Sequence, residues 1–105
     1  MPGRQNGAVG GTLLTAAKNY LDITWDDPAT DMKLTGILRR GMDYLDYIAG
    51  AELDYNEEGL ARALLFDYAR YARENATDAF SSAYVSELMA LHHLHVPVQE
   101  AAGDE

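Results

Sequence analysis

The chain has 105 residues, with 17 acidic against 8 basic side chains, a formal net charge of −9 and no cysteine. That length suits one domain, with no core to spare for a second. The missing cysteine excludes disulfides, thiolate metal sites and cysteine nucleophiles, and the acidic balance argues against a surface that grips phosphates through counterion release.

Residues 1–11 hold four glycines and a proline, MPGRQNGAVGG, and read as a flexible amino-terminal arm. They lack the apolar stretch of a signal peptide, and no later stretch approaches the roughly eighteen apolar residues of a membrane span. A soluble protein is expected. A first helix is predicted from Thr12 to Tyr20 or Leu21, with Thr12 as its cap and Leu13, Ala17 and Tyr20 on one side.

Next comes LDITWDDPATD, residues 21–31, which contains the only tryptophan. Its crowd of Asp26, Asp27, Thr30 and Asp31 invites a calcium loop. The spacing is wrong for one, because Pro28, Thr30, Asp31 and Ile37 stand where an EF-hand needs oxygen ligands, a glycine and a bidentate glutamate. A helix start accounts for every residue: Asp26 or Asp27 as N-cap, Pro28 in the first turn, Asp31 near the positive end of the dipole. Before it, the alternation of Leu21, Ile23 and Trp25 predicts three side chains pointing one way from a short extended corner.

The second helix is predicted over Pro28–Ala49, ending at Gly50, since glycine accepts the left-handed conformation of a helix end. Leu34, Ile37, Leu38, Leu45, Ile48 and Ala49 fall in one stripe, with Lys33, Arg39, Asp43 and Asp46 opposite. Gly41 interrupts the apolar stripe. It reads as a point of close approach by another helix, the alternative being a tolerated loss of helix propensity.

After the loop AELDYNEE, no glycine or proline interrupts residues 60–96, so breaks must be read from polar residues. Asn75, Thr77 and Asp78 mark the best place. A third helix is predicted from about Glu57 to Ala76 and a fourth from about Ala79 to Leu94, one long kinked helix being the alternative. The third places Leu60, Leu64, Tyr68, Tyr71 and Ala72 on its core stripe. Opposite them lie Arg62, Arg70 and Arg73, with Phe66 among them in water. A solvated charged face is the plain reading; the mixture of arginine and an aromatic ring also suits an interface anchor.

The fourth helix aligns Phe80, Tyr84, Leu88 and Leu91, with Val85 and Met89 alongside. Its end, LHHLH, brings His92, His93 and His95 together, but a metal site lacks a third ligand and any HExxH-type motif. Residues 96–105, VPVQEAAGDE, form an acidic tail. Catalytic patterns are missing too: Ser81, Ser82 and Ser86 have no nucleophile-elbow setting, Gly10-Gly11 no phosphate-loop lysine, and Glu57-Glu58 reads as acid at a helix start. The fold class is therefore all-α, a compact bundle of about four helices over residues 12–95 with flexible arms, and neither an enzyme nor a cofactor-binding or metal-binding protein is expected.

The order of KNYLDITWDD, LTGILRRGMDYLDYIAG, GLARALLFDYARYARENA and FSSAYVSELMALHHL resembles the phage head-tail connector family. These are small helical adaptor proteins of tailed phages and prophages, often labelled DNA-packaging proteins. The resemblance spans roughly Leu14 to Leu94. It is carried by K-x-Y-L-x-I at Lys18–Ile23, Y-I-x-G at Tyr47–Gly50 and L-L-x-x-Y-x-R at Leu64–Arg70. It implies a virion protein of the neck, made in the host cytoplasm, that forms a homo-oligomeric ring of about a dozen copies, a dodecamer in the simplest case. Such a ring sits beneath the portal protein, contacts it through the carboxy-terminal helix or tail, and meets tail-side connector or tail terminator proteins. Genomic DNA passes through its channel without specific binding.

A closed ring needs two different faces on each subunit. The candidate subunit interface pairs Arg62, Phe66, Arg70 and Arg73 with an acidic surface that includes Asp43 and Asp46. The alternative function is a small helix-turn-helix-like regulator, for which three arginines on an acidic body are thin support. A metal-dependent hydrolase using the histidines is the weakest reading.

Overall fold

Three helices of this chain end in the same way, and those endings shape the fold. After α1 (Gly11–Tyr20), Asp22 takes the left-handed conformation at φ 61°. The Ile23 N–H then donates to the Lys18 carbonyl, and the Asp22 N–H to that of Asn19. After α2 (Pro28–Ala49), Gly50 sits at φ 74°, with Ala51 and Gly50 donating to Asp46 and Tyr47. After α3 (Leu60–Arg73), Asn75 sits at φ 57°, with Ala76 and Asn75 donating to Tyr71 and Ala72. Each is a Schellman ending, in which one left-handed residue turns the chain and satisfies two orphan carbonyls. Two shorter helices follow, α4 (Thr77–Ala83) and α5 (Val85–Leu94).

The structure, a computed structural model, describes residues 9–95. The arm through residue 8 and the tail 96–105 lie outside the described residues, so their expected roles do too. Among the described residues the chain is all-helical, with five helices rather than four. The third and fourth predicted helices are separate, and the fourth is itself divided at Tyr84. No glycine or proline marks that division. What sits there is the Tyr84 ring, stacked on Phe80 with centroids 4.7 Å apart and edge-on to Tyr71 at 5.7 Å.

Several local expectations need correction. Thr12 does not cap α1; Gly10 occupies that position and offers no side chain, although its carbonyl accepts from Leu14. Val9, placed in the arm by composition, packs against the core. The corner after α1 is the Schellman turn just described. It buries Ile23, half-buries Leu21 and leaves Trp25 48% exposed, so the three do not share a direction. The choice between Asp26 and Asp27 falls to Asp27, which accepts from the Thr30 N–H at 3.2 Å and the Thr30 hydroxyl at 2.9 Å.

The core lies where α2, α3 and α5 meet, closed at one end by α4. Leu34, Ile37, Leu38, Leu45 and Ala49 of the expected α2 stripe are buried, joined by Met42. Gly41 is a point of close approach: a Cβ there would stand 2.7 Å from Tyr68 Cδ1 and 2.8 Å from Leu65 Cδ1. Phe80, wholly buried, is ringed by Tyr44, Tyr68, Tyr71 and Tyr84 at centroid separations of 4.7–6.3 Å. Rings at such separations and tilts add attraction beyond the area they bury.

On α3 the buried residues are Leu64, Leu65, Phe66 and Ala69, a stripe turned from the predicted one. Two neighbours account for it: α2 brings Gly41 against Leu65, and Phe66 is reached by α1. The latter helix lies over the side of α3 that a single-faced helix would give to water, and Tyr20 covers Phe66 with ring centroids 5.6 Å apart.

Candidate interaction surface

The four α3 residues expected to form one free face have different fates. Phe66 is not in water; it is 8% exposed, beneath Tyr20 and with the Arg62 guanidinium 5.4 Å from its ring centroid. Arg62 pairs with Glu58 at 3.3 Å, and its Nε is buried without a hydrogen-bond acceptor. Arg70 bridges Asp67 at 3.4 Å and the Tyr84 hydroxyl at 3.0 Å. Asp67 also accepts from the Tyr20 hydroxyl. That bond stabilises the neutral phenol and, with partial burial, holds the Tyr20 pKa above its ordinary value. Tyr84 is also raised, by burial first and the Asp67 charge second. Arg62, Phe66 and Arg70 therefore fasten α1 and the α4–α5 junction to α3.

Arg73 is the member left over. It is exposed and lines a notch of about 200 Å³ with Trp25, Lys33, Ile23 and Ile37. The Trp25 indole N–H points toward the Thr30 hydroxyl at 3.4 Å, at the long limit of a hydrogen bond. Lys33 and Arg73 make no ion pair with any described residue. The two acids that follow Trp25 in the chain, Asp26 and Asp27, contact Lys18 and Thr30 respectively.

Lys18 supplies the explanation of the acid-rich corner. Its ammonium lies 2.8 Å from Asp31 and 3.5 Å from Asp26, tying the end of α1 to the start of α2. The hydrogen bond to Asp31, reinforced by the charges of both acids, raises the Lys18 pKa. The cation that these carboxylates hold belongs to the protein itself.

The two α2 acids also part company. Asp46 turns inward: its Oδ1 accepts from the Leu53 N–H at 3.1 Å and the Tyr55 hydroxyl at 2.7 Å, folding the 51–59 loop back so that Leu53 and Tyr55 are buried. Asp43 is exposed and has no ion pair among the described residues. One turn along, Tyr47 is 83% exposed. It borders an open groove of about 570 Å³ between α2 and α5, with Val85 and Met89, both more than half exposed, on the other bank. None of the groove's lining residues is an acid, a lysine or an arginine.

His92 and His93 close the end of that groove. The His92 Nδ1 is 3.0 Å from the Ile48 carbonyl. A carbonyl only accepts, so the proton sits on Nδ1 and His92 satisfies one of the open carbonyls at the end of α2. His95 Nδ1 makes the equivalent bond to Leu91 within its own helix, also at 3.0 Å. Among the described residues no group of three or more histidines, aspartates or glutamates is gathered so as to hold a metal ion. No helix of the described residues is long and apolar enough to cross a membrane.

Sequence reasoning missed the groove. Val85 and Met89 sit one position along from Tyr84 and Leu88 in the Phe80, Tyr84 and Leu88 series, so periodicity groups them with the core. The signal that separates them is Tyr47, an aromatic outside the α2 apolar stripe and four residues after an acid. No protein-family model, characterised protein or solved structure matches the chain.

Proposed function

We propose that this chain is a structural connector of the head-tail junction of a tailed phage or prophage, a subunit of a ring that joins portal to tail and leaves a channel for the genome. The reading starts from the order of sequence features that resembles the connector family. The observation that carries it is the surface. Trp25, Met32, Tyr47, Val85, Met89 and Leu94 remain 48–83% exposed on a body whose core is already filled. Tyr47, Val85 and Met89 gather at one groove, and large apolar side chains gathered at a surface mark contact with other macromolecules. Trp25 lies apart from them, just before α2, on a protein of net charge −9, and a subunit with neighbours on two sides needs more than one contact face. The acidic balance also suits a passage for DNA, since a negative wall repels the duplex.

A regulator reading DNA through a helix-turn-helix draws less support. Two of the three α3 arginines are committed to Glu58 and Asp67, which leaves little free positive charge for phosphates.

The test is to mix the purified chain with the portal protein of the same phage or prophage and examine the complex by electron microscopy and native mass measurement. A stoichiometric ring on the tail-side face of the portal is expected. A chain that neither binds the portal nor appears in the neck of assembled particles is not a connector.

A further inference from the structure

We infer that copies of this chain join head to tail, the Trp25–Lys33–Arg73 notch region of one subunit seating against the Tyr47–Val85–Met89 groove of the next. The inference rests on the connector reading and supplies what that reading lacks, the two faces that meet.

Three observations carry it. The first is placement. Trp25 lies just before α2 and Lys33 in its second turn, whereas Asp43 and Tyr47 lie in its last two turns. Fourteen residues of helix at about 1.5 Å each put roughly 20 Å between Lys33 and Tyr47. Two faces that far apart on one subunit cannot meet each other, but each can meet its counterpart on a neighbour, the geometry of a heterologous contact.

The second observation is shape and polarity. At one end a half-exposed indole borders the notch with Lys33 and Arg73. At the other is an open groove with apolar banks and no acid, lysine or arginine in its lining. An indole seated in an apolar groove is a favoured kind of interface anchor.

The third is charge. Among the described residues Lys33 and Arg73 flank the indole without an acidic partner, and Asp43, on the same α2 face as Tyr47 at i,i+4 spacing, has no basic one. Docked head to tail, these unpaired charges become opposite neighbours, which fixes orientation and disfavours groove-to-groove pairing.

Sedimentation of the full chain, with its single tryptophan read by fluorescence at the same concentrations, tests this. The wild type is expected to form species larger than a dimer, with Trp25 emission moving to shorter wavelength as they form. Trp25→Ala, and separately the Tyr47→Ala/Met89→Ala double variant, retain helical circular dichroism and lose at least about tenfold in association. An equimolar mixture of the two gives a heterodimer and nothing larger, because each supplies the face that the other lacks. Should either variant fold poorly, the exposed charges give a second route: Arg73→Asp and Asp43→Arg each weaken assembly, and mixing them restores one contact.

Assembly of the wild type with unshifted emission overturns this pairing of faces and leaves the connector reading standing. So does assembly of the face variants at wild-type strength. A mixture that stays monomeric while the wild type assembles overturns the head-to-tail arrangement. A wild type that stays monomeric to about 1 mM, a concentration at which even a weak specific contact is populated, overturns the inference outright; the connector reading then stands or falls on its portal complex.

Discussion

The seam between α2 and α3 and the corner between α1 and α2 are both well packed, but they are held by different physics. In the seam, Gly41 admits Leu65 and Tyr68, Phe80 fills the space behind them, and no charged group takes part. In the corner, Lys18 bridges two aspartates and Tyr20 reaches Asp67, all near the surface. Burial is insensitive to salt and unforgiving of volume changes, whereas surface ion pairs weaken with ionic strength and tolerate substitution. The same chain therefore has one region that fails by steric change and another that fails by titration and screening.

The largest effect belongs to the seam. Phe80→Ala empties the centre of the tyrosine ring and is expected to cost about 3–5 kcal/mol in urea unfolding; a loss below about 1 kcal/mol would mean that the cluster collapses around the gap. Gly41→Ala improves helix propensity by up to about 1 kcal/mol yet places a Cβ against a buried leucine and a ring wedged between Tyr44 and Phe80. Overpacking of that kind costs about 1–3 kcal/mol, so net destabilisation is expected, and a more stable variant would show the seam to be looser than its contacts imply.

Asp46→Ala stands between the two regions. It removes an acceptor from the Leu53 N–H and from the Tyr55 hydroxyl, which keeps the Met42 carbonyl at 3.2 Å, and a loss of about 1–3 kcal/mol is expected. The same variant should leave assembly contacts intact, since Asp46 faces its own loop.

The corner answers to pH and salt. The pKa values of Tyr20 and Lys18 are raised above 10.0 and 10.5, so the folded state holds their protons more tightly than the unfolded chain. Their contribution is whole below about pH 10 and is lost as pH rises through the folded values. Tyr20→Phe should flatten the alkaline limb of the stability curve without abolishing it, because Lys18 and the raised Tyr84 lose stability in the same window. A limb of unchanged slope would dissociate Tyr20 from the effect. Smallest of all, Asp31→Asn should lower the melting temperature slightly in dilute buffer, and the difference should vanish near 1 M salt, where screening acts over about 3 Å.

Much of the seam was legible in the sequence. The α2 limits, its apolar stripe, the approach at Gly41 and the break near Asn75 all follow from the helical period and from the residues that tolerate left-handed φ. Less was legible where a second element covers a face that the period gives to water. Phe66 looked exposed because nothing in α3 announces that α1 lies on it, and Asp46 looked solvent-facing because its partners belong to a loop without a pattern. Asp22 hid a helix end behind a residue less common there than glycine. Of the expected surface residues, Arg73 and Asp43 remain open to partners. Arg62 and Arg70 are tied within the fold because oppositely charged side chains three or four residues away reach them first.

Besides its polar links, α1 contributes only Leu13 and Ala17 to the buried core, fewer residues than α2 or α3, so it is a piece that local opening would lift early. Its amides, near Lys18 to Tyr20, should exchange with solvent well before those of Leu38 or Leu65. What such a transient departure bares is the Phe66 ring and the apolar flank of Arg62.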